Sequence, residues 1–75
     1  LHNDDYTTMD FVIEILMGIF HKSLVESEQI MLNIHRVGQA VCGRYTYDIA
    51  QTKVHQVKQL AKKSGFPLLA TLEEA

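Results

Sequence analysis

Apolar positions crowd together early in this chain and then thin into two helical stripes further on. Met9, Phe11, Val12, Ile13, Ile15, Leu16, Met17, Ile19 and Phe20 leave almost no wet face, which predicts a helix buried on more than one side. Thr8 stands where an N-cap belongs, and Asp10 falls in the first turn, where a carboxylate suits the positive end of the helix dipole. Ser23-Leu24-Val25-Glu26 reads as a capping box that opens a second helix through Ile30, Met31, Ile34 and Val37. Gly38 is its natural left-handed stop.

Residues 39–45 then alternate as a strand would, with Val41 and Tyr45 on one face and Cys42 on the other. Gly43 within them suggests a bulge or a close backbone approach. Thr46 is placed to cap a third helix whose apolar side is Tyr47, Ala50, Val54, Val57 and Ala61, while Asp48, Lys53, Gln56 and Lys63 mark its wet side. Lys62 and Lys63 suit the negative end of that helix, and Gly65 with Pro67 closes it. Residues 68–72 read as a short final strand, and residues 1–3 as the tail of a first strand that is largely truncated. The order β-α-α-β-α-β implies an α+β sandwich, an antiparallel sheet of about three short strands packed on three helices.

A chain of 75 residues accommodates one domain, here taken as 1–75. At 47% hydrophobic and 21% charged it is globular in composition. The net charge of −2 supplies no basic field, which argues against nucleic acid or an anionic membrane as the main partner. The apolar run 11–20 is broken by Glu14 and is too short to span a bilayer. Cys42 is the sole cysteine, so no internal disulfide can form, in keeping with a reducing compartment. His2, His21 and His55 show no ligand spacing with it, so neither a metal nor another cofactor is expected.

The candidate chemistry sits in Asn3-Asp4-Asp5-Tyr6-Thr7-Thr8-Met9. An amide and two carboxylates in a polar loop run straight into the most apolar helix. Acceptors beside an apolar wall suit a cationic group that carries a greasy side chain. Taken alone, Asn3-Asp4-Asp5 would more often be a solvated turn and helix entry.

The run Asn3-Asp4-Asp5-Tyr6-Thr7-Thr8-Met9-Asp10-Phe11-Val12 resembles the opening signature of the ClpS family, adaptors of the bacterial N-degron pathway. Met31-Leu32-Asn33-Ile34-His35, Val41-Cys42-Gly43, Asp48-Ile49-Ala50-Gln51-Thr52-Lys53-Val54 and Pro67-Leu68-Leu69-Ala70-Thr71-Leu72-Glu73 follow in the family's order and spacing. The resemblance implies a monomeric cytoplasmic bacterial adaptor, without cofactor or catalysis. Such an adaptor binds free amino termini beginning with Leu, Phe, Tyr or Trp and hands them to the AAA+ unfoldase ClpA of the ClpAP protease. Matched by motif, Asn3, Asp5 and His35 would take the α-ammonium, with Asp4 adding negative potential. The pocket would be Leu1, Thr7, Met9, Val12, Met31, Ile34 and Leu68, with Met9 as a gatekeeper against β-branched first residues. Asp48 and Lys53 would meet the N-terminal domain of ClpA.

The chain departs from the family at several points. Ile34 stands where many relatives carry Val, Thr8 replaces a common proline, and Gln51 replaces a frequent Glu. Most of the first strand and the mobile N-terminal extension that serves delivery are not in this sequence. Two other classes compete with the adaptor. A hydrolase or metalloenzyme using Asp4, Asp5 and His35 lacks any recognisable nucleophile–base motif. A protein–protein module could bind the unfoldase domain and modulate it without recognising degrons.

Overall fold

The polar loop ends at Thr8, whose hydroxyl accepts the Phe11 amide at 3.2 Å and starts α1, Met9–Gly18. In the computed structural model, which describes residues 1–74, α2 follows as Leu24–Val37 and α3 as Tyr47–Ser64. Ser23 opens α2 by accepting the Glu26 amide at 3.1 Å, and its hydroxyl donates to the Glu26 carboxylate at 3.1 Å. Gly38 ends α2 at φ +100°, a conformation open to glycine because it has no Cβ. Gly65 ends α3 the same way at φ +79°, and the Phe66 amide returns to the Ala61 carbonyl at 2.9 Å. Thr46 occupies the cap position of α3, but its hydroxyl makes no capping bond, contrary to expectation. Only its carbonyl is used, by the Ala50 amide at 2.9 Å.

α1 and α2 pack against each other, and α3 contributes Val57 and Ala61 to the same core. The buried face of α1 is Phe11, Val12, Ile15 and Leu16. Met9 and Met17 stay 49% and 42% exposed, so burial stops short of the encirclement its composition suggests. After α3, the Phe66 ring lies 4.7 Å from that of Phe11, and Leu68 is buried shortly beyond.

The sheet is the main departure. Residues 39–45 and 68–72, expected as strands, each meet residues 1–3 at one antiparallel bridge, His2 to Gln39 and His2 to Leu69. No longer strand occurs among the described residues. The reason is ladder length. A strand needs successive partners, and residues 1–3, lying between the other two segments, offer a single bridge residue to each. The alternation expected around Cys42 does hold locally: Cys42 is buried while Val41 is 73% exposed. The close approach at Gly43 is made by the Tyr45 ring, 2.7 Å from where a Cβ would stand.

One polar group in the core is unmatched. The Ser27 hydroxyl is fully buried and meets no partner among the described residues. Such a group costs about 1–3 kcal/mol in desolvation. Ser27→Ala, which also favours the helix, is expected to stabilise the protein by about 1 kcal/mol. A urea unfolding midpoint that fell instead would show the hydroxyl to be bonded.

Candidate functional site

Residues 3–8 form a loop tied at several points. The Asn3 amide donates to the Gly38 carbonyl at 2.7 Å, which seats the loop on the C-terminal end of α2. Within the loop, Asp4 Oδ1 accepts the Tyr6 amide at 2.8 Å and the Thr7 amide at 2.7 Å, and Oδ2 accepts the Thr7 hydroxyl at 2.6 Å. Thr8 then begins α1. An Asp followed two and three residues later by free amides is a known local turn former. That signal was present in the sequence but does not say which of the two adjacent carboxylates is used.

Burial acts to raise the Asp4 carboxyl, but the Thr7 hydroxyl and the Thr7 and Tyr6 amides outweigh it and hold it below the ordinary carboxylate value. With a folded value below the unfolded one, the order Asp4 lends the loop is complete above the unfolded range. It is lost only as pH falls through the lower folded value.

The candidate amine ligands fall into two groups. Asn3 and Asp5 are exposed, and so is His35 in the last turn of α2, three residues before the Gly38 that anchors the loop. Asp4 is half-buried and largely occupied by the loop itself. Of the expected pocket, Leu1, Val12, Ile34 and Leu68 are 8%, 6%, 3% and 6% exposed and belong to one buried cluster with Met31 packed against it. Most of the candidate wall therefore belongs to the core. Met9 is the exposed apolar residue at the start of α1, and Thr7 is half-buried.

The two residues expected on the unfoldase side differ in setting. Asp48 is exposed in the first turn of α3. Lys53 Nζ donates to the Ile19 carbonyl at 2.7 Å and lies 5.0 Å from the Tyr45 ring centroid and 5.7 Å from that of Phe20. Ile19 is the C-cap of α1, a helix with no basic residue in its last turn, so Lys53 supplies a partner for an otherwise orphaned carbonyl. None of these contacts was legible in the sequence, where Lys53 reads only as a wet position.

A cleft of about 830 Å³ opens elsewhere, with Phe20, Val41, Tyr45, Ala50 and Val54 among its lining; of the expected pocket it includes only Leu1. Burial pushes the Cys42 thiol up from its ordinary value, which keeps it protonated and unreactive. Among the described residues no three His, Cys, Asp or Glu side chains gather as a metal site would require. No helix of the described residues is long and apolar enough to cross a membrane.

With this geometry in place, comparison with known proteins is decisive. The family model for the ATP-dependent Clp protease adaptor protein ClpS matches residues 1–71. This chain belongs to the ClpS family. The ClpS adapter of Wolinella succinogenes is 60% identical over 74 residues, which cover 99% of this chain and 72% of that protein. The ClpS adapter of Syntrophus aciditrophicus is 57% identical over 74 residues, covering 99% of this chain and 69% of that protein. The structure of Agrobacterium tumefaciens ClpS2 bound to L-phenylalaninamide matches with a TM-score of 0.93 at 41% identity, over 97% of this chain and 88% of that one. As a ClpS, the protein is an adaptor of a Clp protease and not an enzyme. The hydrolase alternative is thereby set aside.

Proposed function

We propose that this ClpS-like core, residues 1–75, binds the free α-amino group and bulky first side chain of N-degron substrates. The substrates begin with Leu, Phe, Tyr or Trp and are delivered, in a bacterial cytoplasm, to the AAA+ unfoldase ClpA. The observation that carries this reading is the 2.7 Å bond from the Asn3 amide to the Gly38 carbonyl. It brings Asn3, with exposed Asp5 two residues on in the same loop, to the end of α2 whose last turn carries exposed His35. An ammonium has three N–H donors, and an amide oxygen, a carboxylate and a neutral imidazole nitrogen are three acceptors. Further support comes from the A. tumefaciens relative, whose ligand, L-phenylalaninamide, has both a free amine and an aromatic side chain.

In this reading Leu1, Thr7, Val12, Met31, Ile34 and Leu68 form the wall for the first side chain and Met9 its gate. The three extended segments stand for the sheet of the fold. Ile34 carries one methylene more than Val and narrows the wall, an effect of about 1–3 kcal/mol against the largest side chains. Asp48 faces ClpA directly, and Lys53 serves the same side from its seat on the Ile19 carbonyl.

The test is calorimetric titration with a Leu-initiated peptide and its acetylated copy. Acetylation is expected to weaken binding at least about tenfold, since it removes the charge and two of the three N–H donors that the acceptors meet. Equal affinity for the two peptides would remove the reading. Met9→Ala should admit Ile- and Val-initiated peptides, strengthening their binding by about 1–3 kcal/mol as the steric block disappears. If they are still rejected, Met9 is not the gate.

A further inference from the structure

We propose that Asp4 is a positioning residue for the amine site: its carboxylate folds the 3–7 loop so that Asn3 and Asp5, on either side of it, present their oxygens together. The proposal rests on the amine-binding function stated above. Two adjacent aspartates have opposite settings. Asp5 is exposed, whereas Asp4 is half-buried and accepts three bonds from its own loop, the Tyr6 and Thr7 amides and the Thr7 hydroxyl. A carboxylate has about four acceptor positions, so most of the capacity of Asp4 is already used.

The clasp works together with two anchors outside it. Upstream, the Asn3 amide is fixed to the Gly38 carbonyl; downstream, Thr8 is fixed as the cap of α1. Between those anchors the backbone of residues 4–7 would be free to turn without the Asp4 bonds, and the direction of the Asp5 side chain would turn with it. Thr7 is the donor of two of the three bonds, so its hydroxyl acts on amine recognition from a distance. The lowered carboxyl of Asp4 accords with this, because donors that stabilise the charged form are already in place.

The experiment measures two ligands, L-phenylalaninamide and 3-phenylpropanamide, which keeps the ring and amide but lacks the amine. Thr7→Val removes one hydroxyl bond and has nothing to offer an ammonium. It is expected to lower the ratio of amine-ligand to analogue affinity about fivefold, the loss of one such bond, whatever the change in the wall does to both ligands. Thr7→Ser should restore the affinity to within about twofold. A change at the pocket rim or a fall in the folded fraction would move both ligands alike, so the ratio isolates positioning. Asp4→Asn retains an oxygen for the two amides and is expected to cost less than Asp5→Asn.

Two outcomes would overturn the proposal: Thr7→Val leaving the affinity ratio of the two ligands as in the wild type, or Asp4→Asn losing as much as Asp5→Asn. The second would make Asp4 a direct charge partner. If the wild type itself bound both ligands equally, the amine-binding function would fall, and this proposal with it. Failure confined to the variants would overturn the role of Asp4 alone.

Discussion

Replacing His35 with alanine is expected to weaken binding of a Leu-initiated peptide by roughly 10- to 100-fold, with the fold intact. The size follows from the loss of one bond to a charged group, worth about 1.5–3 kcal/mol. The fold should survive because His35 is exposed in the last turn of α2, and alanine is the better helix former. The Gly38 stop and the Asn3 amide bond it receives use backbone atoms alone, so the loop keeps its seat. Asp5→Ala should cost a similar factor for the same reason. The two changes together should cost less than their sum, since an ammonium that loses one acceptor is already poorly held by the other. Arg36→Ala, an exposed neighbour on the same turn, serves as the control. Calorimetric affinities unchanged in both His35→Ala and Asp5→Ala would end the amine-site assignment.

Leu16→Ala should produce the largest stability loss, about 3–4 kcal/mol. Leu16 is fully buried in the cluster shared by α1, α2 and α3, so truncation loses transfer free energy and leaves a cavity. A chain of 75 residues, at about 0.05–0.15 kcal/mol per residue, has only about 4–11 kcal/mol in total. The melting temperature is expected to fall by about 15–25 °C. Met17→Ala, one residue further along the same helix, removes a side chain that is 42% exposed and should cost less than about 1 kcal/mol. Similar losses for the two would mean that the first helix is not packed on the face described. The same variant bears on function, because the core that holds Leu16 also contains Val12, Ile34 and Leu68 of the proposed wall. Weakened peptide binding by Leu16→Ala near its melting temperature would reflect the folded fraction and not a direct contact.

The helices were the most legible part of this protein. Thr8, Ser23 with Glu26, Gly38 and Gly65 all act where their residue types predict, because caps and stops join atoms a few residues apart. Thr46 shows the margin of that rule: it has the cap residue and the cap position, yet its hydroxyl makes no capping bond. The family was legible too, since its motif blocks cover the chain, and the match over residues 1–71 agrees. The strands were not, because the period-two pattern of residues 39–45 describes faces and says nothing of how many partners a ladder will find.

What the sequence determined by itself is therefore local: three helices, their ends, and the apolar residues that had to go inside. Only the tertiary structure decided which polar groups are already committed. Asp4 and Asp5 are chemically identical neighbours, and the folding of the loop leaves one occupied and the other exposed. Lys53 reads as a surface charge until the Ile19 carbonyl, from another helix, is brought 2.7 Å from it. Asn3 and His35 share one end of the molecule because an amide meets the carbonyl of Gly38. Hydrogen bonds depend on distance and direction between atoms far apart in the chain, and residue type alone cannot specify either.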